Sequence, residues 1–249
     1  MTAESSTGWL HSVRDGGPRL VFFPPAGASA SAAWALDDVV PEEWALHGVQ
    51  YPGRGPRLRE PQAGSIRELA RACLPHLREA AERTVLFGHS FGAFVAYDVA
   101  QLLEREGCPA AGLMVAGIAA PGTFLTTLSA QEATDTALVA VLRGASGTSA
   151  ELVADEELME LVLPALRADL ALGGDYADDH DHRLSTPIAG LGGRRDPAVA
   201  TEALGTWSDH TERWLGCELT DGDHFFYLQD RSFLPAVLRR NWPTVPASA

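Results

Sequence analysis

Short apolar runs punctuate this chain, and most of them stop against a glycine or a proline. The first convincing run is Arg19–Phe23 (RLVFF), ended abruptly by Pro24-Pro25 and Gly27. Trp44–Tyr51 is a weaker one, stopped by Pro52-Gly53. Thr84–Gly88 (TVLFG), Gly112–Gly117 (GLMVAG), Pro187–Gly192 (PIAGLG) and Trp214–Thr220 (WLGCELT) continue the series. Their length and bounding residues predict buried strands. Between strands the period changes. A helix is expected over Ser65–Glu82, with Ser65 as N-cap and Glu68 three residues on, a capping box. Another is expected from about Ser90 to Glu106. Apolar strands alternating with helices predict an α/β fold, a mainly parallel sheet with helices on both faces.

The rhythm breaks between Pro121 and Thr186, which reads as helical with no convincing strand. Within it, Glu156–Asp169 carries apolar residues at helical spacing. An insertion of that length predicts a helical lid over the sheet's C-terminal edge, where open α/β sheets bind ligands. A plain pair of crossover helices is the alternative. Leu158, Leu161, Leu163 and Leu166 are candidates to line a pocket beneath the lid, or simply to pack. The 249 residues fit one α/β domain, since such folds often exceed the usual domain length.

Charge narrows the partners. A formal net charge of −14 makes duplex nucleic acid and anionic membranes poor partners for the whole molecule. All 19 basic side chains are Arg. Cys73, Cys108 and Cys217 are scattered and odd in number, which argues against a disulfide framework or a zinc site. The N-terminus has no basic cluster followed by an apolar stretch, so no signal peptide is expected. Nor is there an apolar run of membrane-spanning length. The expected location is cytoplasmic.

Gly88-His89-Ser90-Phe91-Gly92 fits G-x-S-x-G. Alone the motif is weak, arising by chance in about one chain in eight of this composition, so context must decide. Here a buried strand runs into it and a helix runs out. A turn that tight crowds the backbone on both sides, and glycine at 88 and 92 leaves room. Ser90 is then the candidate nucleophile at a helix N-terminus, where developing negative charge is favoured. A glycine-serine turn capping a helix is the plainer reading.

A serine hydroxyl needs a neighbouring base, usually histidine. His224 follows the last strand within Asp221-Gly222-Asp223-His224-Phe225-Phe226, flanked by two aromatic residues. His89 adjoins Ser90, but its side chain is expected under the turn. His180 and His182, among Asp178, Asp179 and Asp181, resemble a metal site but read better as a solvated loop. For the acid that orients the base, Asp196 lies beyond the strand Pro187–Gly192. Asp223 is too close to His224 in sequence for good geometry, and Asp209 is expected in a helix. The order Ser90, Asp196, His224 is that of α/β-hydrolases. Oxyanion donors are expected from the amide of Phe91 and from the loop after the first strand. Pro25 has no N–H, so Ala26 is the first choice there and Gly27 the second. A plain Pro-Gly turn is the alternative.

FFPPAGAS (22–29), VQYPGRGPRLREP (49–61), LFGHSFGAFVAYDVA (86–100), LPALRADL (163–170), PIAGLGGRRDP (187–197) and GDHFFYL (222–228) together resemble the type II thioesterases of polyketide and nonribosomal peptide biosynthesis. The resemblance runs from about residue 19 to 240. It implies an α/β-hydrolase that hydrolyses acyl thioesters on the phosphopantetheine arm of carrier domains, clearing stalled or wrong chains and needing no cofactor of its own. It places the triad on Ser90, Asp196 and His224 and the oxyanion amides on Ala26 and Phe91. The family usually has PHAGG where this chain has Pro25 and Ala28, so the oxyanion loop departs from the pattern. Carrier domains are commonly acidic, which makes Arg54, Arg57, Arg59, Arg67 and Arg71 a candidate docking patch; a scattered solvated face is the alternative. Two rivals stand beside this reading. One is a chain-releasing thioesterase or small-ester esterase on the same fold. The other is a non-catalytic relative that binds without turnover.

Overall fold

The computed structural model describes residues 8–122, 134–144, 155–178 and 181–243. Seven strands form one sheet: β1 (Leu10–Arg14), β2 (Arg19–Phe23), β3 (Ala45–Val49), β4 (Thr84–His89), β5 (Gly112–Ala116), β6 (Ile188–Gly193) and β7 (Trp214–Thr220), in the order β1-β3-β2-β4-β5-β6-β7. Every pairing is parallel except β1 with β3. The six parallel strands therefore deliver their C-terminal ends to one edge. The sheet is buried on both faces. Val21, Phe23 and Leu86 pack against one helical layer, while Leu20, Phe22, Val85 and Phe87 pack into a second core on the other face. Such two-sided burial is why these strands read as continuous apolar runs.

β1 was not legible in the sequence, so the first expected strand is β2 of the structure. LHSVR offers only two apolar residues. Besides its ladder with β3, it is held by Arg14, which donates to the carbonyl oxygens of Asp37, Val40, Pro41 and Trp44 and to the Asp37 carboxylate. Those partners lie 23 to 30 residues away, beyond any local pattern.

The helix expected over 65–82 is shorter. α1 spans Ile66–Cys73, and its capping serine is present: Glu68 N–H donates to Ser65 Oγ at 3.0 Å, while the Glu68 carboxylate accepts from Gly64 N–H. Two 3-10 turns follow (Leu74–His76 and Arg78–Arg83), with a non-helical backbone at Ala80. Pro75 lacks an N–H and ends the α-helical ladder. α2 (Phe91–Arg105) matches the expected helix within a residue at each end. In the 121–186 stretch the described residues form α3 (Asp135–Gly144) and α4 (Glu156–Asp175); the rest of that expected insertion, including His180, lies largely outside the described residues. α5 (Phe226–Gln229) and α6 (Phe233–Asn241) are the last helices among the described residues. Asp209 lies in a 3-10 helix, Thr201–His210. No described helix is long and apolar enough to cross a membrane.

Candidate active site

The motif at 88–92 folds as a strand-to-helix elbow. β4 ends at His89, α2 begins at Phe91, and Ser90 between them has φ 53° and ψ −125°. It is the only non-glycine residue with positive φ among the described residues. Its N–H donates to Ala116 O at 2.7 Å, locking the turn to the end of β5. The two glycines are demanded by contact. A Cβ at Gly88 would lie 2.3 Å from Ala93 Cα, and one at Gly92 would lie 2.1 Å from Phe23 O and 2.6 Å from Pro24 O. Gly92→Ala is accordingly expected to destabilise by about 1–3 kcal/mol or more, as overpacking against backbone does. A thermal melt reads this out, and an unchanged midpoint would show that the elbow has room to spare.

The same contact presses the chain leaving β2 against the first turn of α2. Loop 24–28 and Phe91 are thereby neighbours. Pro25 O accepts from Ala28 N at 3.1 Å, with Gly27 at φ 77°, the geometry of a type II turn. Gly27 N–H is taken: it donates to Asp169 Oδ2 at 2.8 Å. The Phe91 amide stands in the first turn of α2, where a helix has N–H groups without intrahelical partners.

Asp196 and His224 come together from the ends of β6 and β7. Arg194 N–H donates to Thr220 O and Arg195 N–H to Gly222 O, both at 2.9 Å, which ties the two loops side by side. Asp196 Oδ2 lies 2.8 Å from His224 Nδ1, with side-chain exposures of 2% and 10%. Asp196 Oδ1 accepts from Ala198 N–H at 2.8 Å. A carboxylate in contact with Nδ1 favours the proton there and leaves Nε2 as the basic nitrogen. Gly117, at φ 64°, makes space for the ring, since a Cβ there would be 3.0 Å from His224 Cε1.

Asp223, the rival acid, faces elsewhere. Its Oδ1 accepts from Phe225 N–H and its Oδ2 from Gln229 Nε2, so it shapes the turn into α5. His89 is fully buried beneath the elbow, as expected, and it has a further role. Its Nε2 meets His224 O at 2.9 Å and its Nδ1 meets Tyr227 O–H at 3.0 Å. A carbonyl only accepts, so Nε2 carries the proton. Burial, then the neighbouring His224, pushes the His89 imidazole well below its ordinary pKa and keeps it neutral. His89 thus fixes the backbone of His224. In the acidic segment, Asp178 Oδ2 pairs with His210 Nδ1 at 2.8 Å and His182 lies 3.3 Å from Asp181; Asp179 and His180 lie outside the described residues. No cluster of His, Cys, Asp and Glu among the described residues suits a metal ion.

Ser90, His224, Ala26 and Gly27 line one cavity of about 690 Å³. Leu142, Leu158, Met159, Leu161, Val162, Leu166, Leu170, Phe225 and Leu228 make most of its wall apolar. Of the four candidate leucines, three line it: Leu158, Leu161 and Leu166. Leu163 instead packs with Leu138 and Leu166 beside the cavity. A separate hollow of about 480 Å³ between Trp34 and Arg231 has no serine, cysteine or histidine in its lining, and its two carboxylates, Asp37 and Asp38, pair with Arg14 and Arg231.

The structure removes Arg54 from the candidate arginine docking patch and ties Arg57 and Arg67 to acidic partners. Arg54 is 4% exposed and forms a two-pronged ion pair with Asp169 of α4, its Nη2 donating to Asp169 Oδ1 at 2.8 Å and its Nη1 to Oδ2. Arg57 lies over the Trp9 ring and pairs with Glu60, and Arg67 is 3.7 Å from the buried Asp98. Only Arg59 and Arg71 of the five are exposed. The PGR and RAD segments of the sequence therefore meet inside the protein. The available signal was the spacing Val162, Ala165, Leu166, Asp169, which puts a carboxylate on the apolar stripe of a helix. A buried charge requires a partner.

The thioesterase domain family matches residues 18–241. This chain belongs to that family. The thioesterase PikA5 of Streptomyces venezuelae is 36% identical over 227 residues, covering 89% of this chain and 79% of that one. Among solved structures, the type II thioesterase BorB from the borrelidin biosynthetic cluster superposes with a TM-score of 0.85 at 31% identity, covering 95% of this chain and 98% of BorB. The thioesterase RedJ, from the prodiginine pathway of Streptomyces coelicolor, gives 0.80 at 33%, covering 90% and 89%. The chain is thus a serine thioester hydrolase of the α/β-hydrolase fold, with type II thioesterases among its relatives.

Proposed function

We propose that this thioesterase edits acyl groups held as thioesters on the phosphopantetheine arm of carrier domains, with Ser90 as nucleophile, His224 as base and Asp196 as the acid that orients it. One observation carries the residue assignment: the 2.8 Å contact between His224 Nδ1 and Asp196 Oδ2, with His224 and the strained Ser90 lining the same cavity. His224 Nε2 takes the Ser90 proton as Oγ attacks the thioester carbonyl. The amides of Ala26 and Phe91 hold the tetrahedral oxyanion; the Gly27 amide is committed to Asp169 and is the poorer candidate. The carbon–sulfur bond breaks as His224 passes that proton to the leaving sulfur, and His224 then takes a proton from water attacking the acyl-serine and returns it to Ser90 Oγ as the carboxylic acid is released. Each step uses the chain's own groups. The described residues of 121–186 read as part of a lid on a single domain, with α4 as one wall of the acyl chamber, and the cytoplasm is the proposed location.

The test is a hydrolysis panel in which carrier domains loaded with acyl groups of varied length and branching are set beside free acyl-pantetheine thioesters and p-nitrophenyl esters. Release of free acid from loaded carriers, faster than from the free pantetheine thioesters, is expected. Turnover of the simple esters alone would make the protein an esterase, and cyclic products would make it a chain-releasing enzyme.

A further inference from the structure

Asp169 of α4 accepts two hydrogen bonds on one oxygen, from Gly27 N–H at 2.8 Å and from Arg54 Nη1. The first reaches 142 residues back to the turn that carries Ala26. The contact is tight along its length, since a Cβ on Gly27 would sit 3.1 Å from Leu166 Cβ and 3.3 Å from Leu166 Cα. Arg54 in turn is fixed on every side. Its Nε donates to Pro52 O and its Nη2 to Gln62 Oε1, while Gln50 bridges Arg54 O to the Ala30 N–H. Arg54 and Asp169 side chains are 5% and 2% exposed.

We propose that Asp169, held by Arg54, is a positioning residue for the oxyanion site, fixing the 25–28 turn through Gly27 N–H so that the Ala26 amide is in place only while α4 is docked. This rests on the reading of that turn as one half of the oxyanion site. The physical case is one of selection among conformations. A Pro-Ala-Gly-Ala turn at the mouth of a cavity has little side chain with which to fix itself, and glycine admits several backbone states. A charged acceptor makes a shorter and stronger bond to an amide than a neutral one does. A buried ion pair contributes little net stability compared with apolar residues of similar volume, so packing alone does not call for one here. The amide it captures gives it a purpose. Oxyanion donors act only when aimed at the site of developing charge, and a displacement near 1 Å is worth about a hundredfold in rate.

Removing one charge alone would leave the other buried and unpaired, so the test uses two double variants. Arg54→Met with Asp169→Asn abolishes the ion pair but retains an acceptor for Gly27 N–H. Arg54→Met with Asp169→Leu abolishes both. With an acyl-pantetheine thioester, the Leu variant is expected to lose about a hundredfold in kcat with KM unchanged. The Asn variant should recover most of that loss. Inhibition by n-octylboronic acid should weaken in the Leu variant by a factor similar to the kcat loss and recover in the Asn variant. In that adduct Ser90 Oγ bonds to boron, its proton passes to His224, and a boronate oxygen occupies the oxyanion position. Equal kcat in the two double variants, or a change in KM alone, would overturn the proposal. Ser90→Ala in the same assay separates the two readings. If it is inactive while the double variants behave alike, the positioning role fails and the proposed function stands; if it turns over normally, the proposed function itself fails.

Discussion

Ser90→Ala is expected to lower kcat/KM for acyl-carrier thioesters by about a thousandfold or more, the scale on which removal of an activated serine acts. Carrier binding and the melting midpoint should hardly move. The backbone explains the second expectation. Ser90 sits at φ 53° and ψ −125°, where any Cβ is strained, and alanine keeps the Cβ. Ser90→Gly is the informative companion. It relieves strain of about 1–3 kcal/mol against roughly 0.5–1 kcal/mol of added freedom in the unfolded chain. The glycine variant should therefore be equally inactive but melt higher than wild type. That pairing of lost turnover with gained stability identifies a residue held in an unfavourable conformation for its chemistry. A Ser90→Ala enzyme with near-normal turnover would remove this serine from the mechanism.

What could be read from the sequence divides along a physical line. Features written in consecutive residues were legible. The buried strands show as apolar runs because both faces of the sheet are covered, and the elbow shows as two glycines whose absent side chains avoid contacts of 2.1 and 2.3 Å. The candidate residues Ser90, Asp196 and His224 could be placed because each follows a recognisable strand, and parallel strands share one C-terminal edge. Features made by distant partners were not legible. β1 is held by an arginine reaching carbonyls on another segment. The Arg54–Asp169 pair joins residues 115 apart, and in the sequence Arg54 read as one of five candidate surface arginines. His89 could be placed under the turn from its position beside Ser90, but its bond to the His224 carbonyl required the two loops to be seen together. The helix after Ser65 fell between these cases. Its start was encoded in a capping serine, while its early end depended on Pro75 and a kink at Ala80.

The assignment of the acid is open to a decisive substitution. Asp196→Asn is isosteric, and the direction its amide takes follows from the hydrogen bonds in place. Asp196 Oδ1 accepts from Ala198 N–H at 2.8 Å, so the asparagine oxygen must stay on that side. Its NH2 group is then turned toward His224 Nδ1, now 2.8 Å from a donor instead of an acceptor. The ring must respond by carrying its proton on Nε2, the nitrogen that should receive the serine proton. Loss of the carboxylate also removes the negative charge that stabilises the imidazolium formed during attack. In serine proteases the equivalent change lowers kcat by about ten-thousandfold. A thiolate is a better leaving group than an amine and needs less acid assistance, so a loss of about a hundredfold to ten-thousandfold in kcat is expected here. Asp223→Asn disturbs the turn into α5, where the carboxylate accepts from Phe225 N–H and Gln229 Nε2. Its consequence should be about 1 kcal/mol of stability with turnover nearly intact. Steady-state rates and melting curves on the two variants read both effects, and the reverse pattern would transfer the role of acid from Asp196 to Asp223.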